Sequence, residues 1–139
     1  MSLDVYLKKL EQIVALLDEL EALLERPQEE FIADHIVSRA AERDFQLLVN
    51  LAVDVNLYLI AERARSTPDT YRQSFSDLVK LGILTHSLAE PLGRSAQLRN
   101  ILVHEYDFDA DVEVFYRSAR EFVEPYRQYA QAIHRALKG

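Results

Sequence analysis

The stretch Leu47-Leu48-Val49-Asn50-Leu51-Ala52-Val53-Asp54-Val55-Asn56-Leu57-Tyr58-Leu59-Ile60-Ala61 is the most apolar in the chain, and its reading decides the fold. Its 15 residues are interrupted by Asn50, Asp54 and Asn56, which makes the run too short and too polar to cross a bilayer. It reads instead as the buried central part of a long helix, predicted from about Glu29 to about Arg65 with a bend or break near Asp34 to Arg39.

Helical signals continue on both sides. Leu3, Leu7, Leu10, Val14 and Leu17 recur at alternating steps of four and three, and Leu20 and Leu24 follow. This is an amphipathic first helix with an acidic outer face, ending near Arg26-Pro27. Ser66-Thr67-Pro68-Asp69-Thr70 is a turn, and Thr70 suits the N-cap of a short helix from Tyr71 to Leu81. Gly82 suits its C-terminal cap. A further helix should begin around Thr85 to Ser87 and end at His104 or Tyr106. Glu105 to Glu113 is predicted as an acidic loop ending in a capping Asp109 or Asp111. The last helix carries Phe115, Ala119, Phe122, Tyr126, Tyr129, Ile133 and Leu137 on one face, with a kink expected at Pro125. The expectation is one all-α domain over residues 1–139, an antiparallel bundle of about five helices.

Composition agrees with that class. Three glycines, four prolines and abundant Leu and Ala favour helices joined by short loops. Without cysteine there is neither a disulfide frame nor a thiolate zinc site, and no secretory signal is visible, so a cytoplasmic location is expected. The net charge of −7 argues against bulk attraction for nucleic acid. Most of it is local, because residues 1–34 carry nine acids against three bases. Twelve of the sixteen basic residues are Arg, the better fork for phosphate oxygens. RNA binding would therefore depend on local patches.

The chemistry concentrates in Arg99-Asn100-Ile101-Leu102-Val103-His104-Glu105-Tyr106. A permanent cation and an imidazole form a minimal kit for cleaving a phosphodiester without metal. Arg99 and His104 lie about 140° apart on an ideal helix, so one straight face does not present both. The segment is apolar on most remaining sides, which predicts one side packed in its own bundle and another against a second copy. In such a homodimer one histidine takes the proton of a ribose 2′-hydroxyl, the other protonates the leaving oxygen, and arginine stabilises the phosphorane. The plainer reading makes His104 a helix-end residue and pairs Arg99 with a carboxylate such as Glu105.

Supporting residues come from the long helix. Arg39, Arg43, Asn50, Asp54 and Arg65 fall within about 80° of one another, and Arg39 and Arg43 are candidate RNA contacts. Asp54 interrupts the apolar stretch and wants a partner, with Arg99 or His104 as candidates. Asn100 shares a face with His104 and is a candidate to orient the imidazole. No metal or other cofactor is expected: Ile32, Ile83, Ile101 and Gln131 stand three before the four histidines, where a di-iron bundle needs Glu. A Gly-rich phosphate loop and a nucleophile elbow are also absent.

The spacing Arg99-x4-His104-x-Tyr106 resembles the motif of the HepT family of HEPN-domain toxins. Glu42-Arg43 with Asp54, Pro68 to Phe75 with Leu78, and Gly82-Ile83-Leu84 extend the similarity over most of the chain from about residue 31. The resemblance implies a dimeric all-α endoribonuclease, the toxin of a toxin–antitoxin pair, with Arg99 and His104 catalytic. It further implies a nucleotidyltransferase antitoxin resembling MntA, which silences the toxin by adenylylating Tyr106. A non-catalytic HEPN adaptor that presents RNA or nucleotide to that enzyme is the alternative.

Overall fold

Asp34 sets the start of the central helix. Its backbone leaves helical geometry, and its side chain accepts hydrogen bonds from the amides of Ile36 (3.1 Å) and Val37 (3.2 Å). The helical stretch expected from Glu29, with a bend or break near Asp34 to Arg39, is therefore broken into two at Asp34. The computed structural model describes residues 1–139 as α1 (Leu3–Leu24), α2 (Gln28–Ala33), α3 (His35–Ala64), α4 (Tyr71–Lys80), α5 (His86–His104) and α6 (Phe108–Lys138). All are α-helical, and one more helix is present than the pattern predicted.

The other boundaries follow local chemistry. Thr70 and Thr85 accept from the amides of Gln73 and Leu88 and start α4 and α5, satisfying donors that a helix start leaves free. Gly82, at φ +75°, ends the α4 turn where a side chain would be strained. The predicted acidic loop is corrected. Asp107, and neither Asp109 nor Asp111, caps α6, and its own amide donates to Asp111 Oδ2 at 2.9 Å. Only Glu105, Tyr106 and Asp107 separate α5 from α6. The last helix runs through Pro125 without interruption.

The core lies where α3 passes between its neighbours, touching every other helix. Phe45, Leu48, Val49, Ala52, Leu59 and Ile60 of α3 are fully enclosed. They meet Ile13 and Leu17 of α1 and the aromatic face of α6, where Phe45 and Phe115 pack edge to face at 5.7 Å. Each buried aliphatic or aromatic side chain contributes about 1.5–3 kcal/mol. By length and composition α3 is apolar enough to span a membrane, but 56 % of its most apolar 18-residue window is buried inside the bundle.

One buried carboxylate works against the fold. Asp44 of α3 is 8 % exposed, and its Oδ2 has no hydrogen-bond partner. Burial, and then Glu19 of α1 opposite, push its carboxyl up to about 6. The folded chain thus holds the proton more tightly than the unfolded one, so stability is greatest below about pH 4 for this group and falls as pH rises through about 6. Asp44→Asn is expected to stabilise the chain at pH 7 by on the order of 1 kcal/mol, with the gain gone near pH 4. Urea unfolding at the two pH values measures it, and equal gains at both would contradict the assignment.

Candidate functional site

The last two turns of α5 bring Arg99 against α3 and α4. Its Nε donates to Asn50 Oδ1 at 3.0 Å, its Nη1 donates to Asn100 Oδ1 at 3.1 Å, and its guanidinium lies 4.9 Å from the centre of the Tyr71 ring. Every one of these partners is neutral, and Arg99 takes part in none of the chain's ion pairs. The pairing with Glu105 allowed by the plainer reading is not formed. A half-buried guanidinium fixed on three sides without a counter-charge is poised for an external anion.

His104 is the final residue of α5 and is exposed, with no side-chain partner. Around it Ile101 (37 % exposed), Val103 (44 %) and Phe108 (51 %) leave apolar surface open to solvent. Asn100, expected to orient the imidazole, instead holds Arg99.

Two supporting assignments change. Asp54 meets neither Arg99 nor His104. It is exposed, and its Oδ2 lies 4.0 Å from Lys9 Nζ of α1. The residue that α3 turns toward Arg99 is Asn50, one helical turn earlier on the same face. Arg39 is only partly free, because its guanidinium covers the Phe108 ring at 3.8 Å and its Nη1 is 3.5 Å from Glu42 Oε1. Arg43 is exposed, bonded only to Gln46 Oε1 at 3.2 Å.

Tyr106 sits in the turn after α5 with its ring half-buried and its hydroxyl donating to Glu42 Oε2 at 2.5 Å. Burial, and then the Glu42 carboxylate, raise the phenol well above its ordinary range, so it remains a proton donor throughout the physiological range. Burial also raises the Glu42 carboxyl, while Tyr106 and Arg39 hold it down. Tyr71 and Glu42 are partners that sequence reasoning missed. Tyr71 reads as the first residue of a short helix, and Glu42 entered only as part of a family flank.

Against this geometry, residues 6–133 match the ribonuclease HepT-like family. The chain belongs to that family. Membership makes this HepT-like chain an endoribonuclease by class. It is 30 % identical over 129 residues to the tRNA nuclease HepT of Aphanizomenon flos-aquae, covering 93 % of this chain and 87 % of that protein. Among solved structures, the tri-AMPylated HEPN toxin of Shewanella oneidensis in complex with MNT antitoxin superposes with TM-score 0.80 at 20 % identity, over 96 % of this chain and 98 % of that one. A mutant of the toxin–antitoxin MntA–HpeT gives 0.81 at 18 % identity, over 94 % and 98 %. A toxin–antitoxin with AMP-PNP gives 0.78 at 20 %, over 96 % and 99 %. At these identities the three structures establish the all-α HEPN fold of the HepT-like chain.

Proposed function

We propose that this HepT-like chain is the toxin of a toxin–antitoxin pair, acts in the cytoplasm, and cleaves RNA through Arg99 and His104 of two copies. The observation that carries the reading is the uncompensated Arg99 guanidinium, held by Asn50, Asn100 and Tyr71 on the helix that ends in a free imidazole. Pairing two copies over Ile101, Val103 and Phe108 buries exposed apolar surface and supplies the second imidazole that one α5 lacks.

In that groove one His104 accepts the ribose 2′-hydroxyl proton as the oxygen attacks phosphorus. The second copy's imidazole donates a proton to the departing 5′-oxygen, and Arg99 stabilises the phosphorane charge. The bond made is 2′-O–P and the bond broken is P–O5′, so the ends are a 2′,3′-cyclic phosphate and a 5′-hydroxyl. Base, acid and electrophile all come from the chain, so no metal is required. In this reading Arg43, exposed and bonded only to Gln46, contacts the RNA backbone. The antitoxin is a nucleotidyltransferase that adenylylates Tyr106, two residues from His104, and the added anion repels the RNA backbone. The acidic face of α1 suits a basic docking surface on that partner.

The test is purified chain with RNA and excess chelator. Cleavage leaving cyclic phosphate ends, by a species that sediments as a dimer, is expected. Binding without cleavage, or 3′-hydroxyl ends, would overturn the mechanism.

A further inference from the structure

A closed ring of contacts seals the turn between α5 and α6 against α3. Tyr106 donates to Glu42 Oε2, and its ring meets Phe108 (5.4 Å) and Phe115 (6.5 Å) edge-on. Arg39 covers the Phe108 ring and returns to Glu42. Glu42 is only 3 % exposed, and its Oε1 makes no hydrogen bond. The Tyr106 hydroxyl is thus the one hydrogen-bond donor to this enclosed carboxylate, with Arg39 as its ion-pair partner at 3.5 Å, and a buried charge stripped of its donor is costly.

That proton is present only while the Tyr106 hydroxyl is unmodified. When a nucleoside triphosphate is the donor, the phenol oxygen forms a bond to its α-phosphorus, the bond from that phosphorus to the leaving pyrophosphate breaks, and the phenolic proton is lost to solvent. The ester oxygen can no longer donate. The new phosphodiester also brings a second negative charge beside a carboxylate whose one counter-charge is Arg39, and at low effective dielectric the two anions repel. A modified side chain cannot keep the seat.

We infer that Glu42 is a latch for Tyr106, which holds the unmodified phenol inward and the Glu105–Asp107 turn closed, and which lets go once the hydroxyl is modified. The inference rests on the reading of Tyr106 as the modified residue and adds how modification is gated and transmitted. Modification draws on the unlatched fraction of the chain. Once made, it frees the turn and shifts His104, two residues upstream, so the site is rearranged as well as obstructed. Glu42 is thus a positioning residue, acting on His104 through Tyr106. Had Glu42 been the base for the transfer, its removal would slow modification; as a latch, its removal speeds it.

N-acetylimidazole tests this without antitoxin or RNA. It transfers an acetyl group to accessible phenol oxygens, the imidazole leaving with the proton, and peptide mass spectrometry locates each product. Tyr58, 49 % exposed, serves as the internal standard. In the unsubstituted chain Tyr106 should lag Tyr58. Glu42→Ala should accelerate Tyr106 relative to Tyr58 by about tenfold or more, the worth of one charge-assisted hydrogen bond. Glu42→Gln, whose amide oxygen still accepts, should fall between. An unchanged or slower Tyr106 in Glu42→Ala overturns the latch; should that variant fail to fold by circular dichroism, the Glu42→Gln comparison decides. Hydrogen exchange in the chain acetylated at Tyr106 should be faster across Glu105 to Ala110, and unchanged exchange would refute release of the turn. Absence of adenylylation by an antitoxin would leave all these rates as they are, so the two readings fail separately.

Discussion

Arg99→Ala and His104→Ala should each lower RNA cleavage by about 10²–10⁴-fold, the range associated with removing a general acid–base or a fixed transition-state charge. His104→Ala should melt as the unsubstituted chain does, because the exposed imidazole has no partner to lose and surface changes of this kind stay within about 0.5 kcal/mol. A purely structural motif predicts the opposite split, with a lower melting temperature and unchanged activity. Arg99→Lys should recover little: one ammonium cannot reach Asn50 and Asn100 together and stack on Tyr71. Mixing adds a test of the shared groove. If cleavage needs the imidazole of both copies, chains mixed with a ninefold excess of His104→Ala and allowed to exchange should show about one hundredth of the activity of the same total amount of unsubstituted chain, against about one tenth for independent sites. Proportional activity would show that each copy works alone.

What the sequence made legible was local. Thr70 and Gly82 act within three or four residues of themselves, so their caps could be read directly, and Thr85 stands at the edge of the window predicted for the start of α5. The break before α3 fell within the predicted window because Asp34 satisfies the next amides itself. The start of α6 was ambiguous for a physical reason: Asp107, Asp109 and Asp111 are all competent caps, and the bond from the Asp107 amide back to Asp111 settles the matter only in three dimensions. The site divides the same way. Arg99, His104 and Tyr106 declare themselves by residue type and spacing. Their partners do not, since Tyr106 finds Glu42 across 64 residues and Arg99 finds Asn50 across 49. Asn50 and Asp54 lie one turn apart, and only the way α3 sits between α1 and α5 turns the first to Arg99 and the second to Lys9. Helical periodicity fixes rotation about one axis and leaves the register between axes open.

The third interruption of the apolar stretch has a different job, and Asn56→Ala should expose it as a loss of about 2–4 kcal/mol in folding stability with activity per folded molecule preserved. Asn56 is fully buried; its Nδ2 donates to Ser74 Oγ at 3.0 Å, and its Oδ1 accepts from the Tyr129 hydroxyl at 2.6 Å. One amide therefore ties α3 to α4 and α6 in a core where an unmet polar group is expensive. Ser74 keeps its bond to the Tyr71 carbonyl and Tyr129 its bond to the Ala52 carbonyl, so the loss is two hydrogen bonds and a small void. Asn56→Asp should be worse at neutral pH, because it exchanges the donor to Ser74 for a buried charge. Asn50→Ala should behave in reverse, with cleavage reduced as Arg99 loses one of its holds and stability barely changed. Urea unfolding followed at 222 nm and cleavage rates on the same samples measure both. Ser74 bonds the backbone of Tyr71, and the Tyr71 ring supports Arg99, so Asn56 stands only two contacts from the site. If cleavage by folded Asn56→Ala fell as far as in Asn50→Ala, the core amide would be holding the guanidinium in place through α4, and the division between the two asparagines would have to be abandoned.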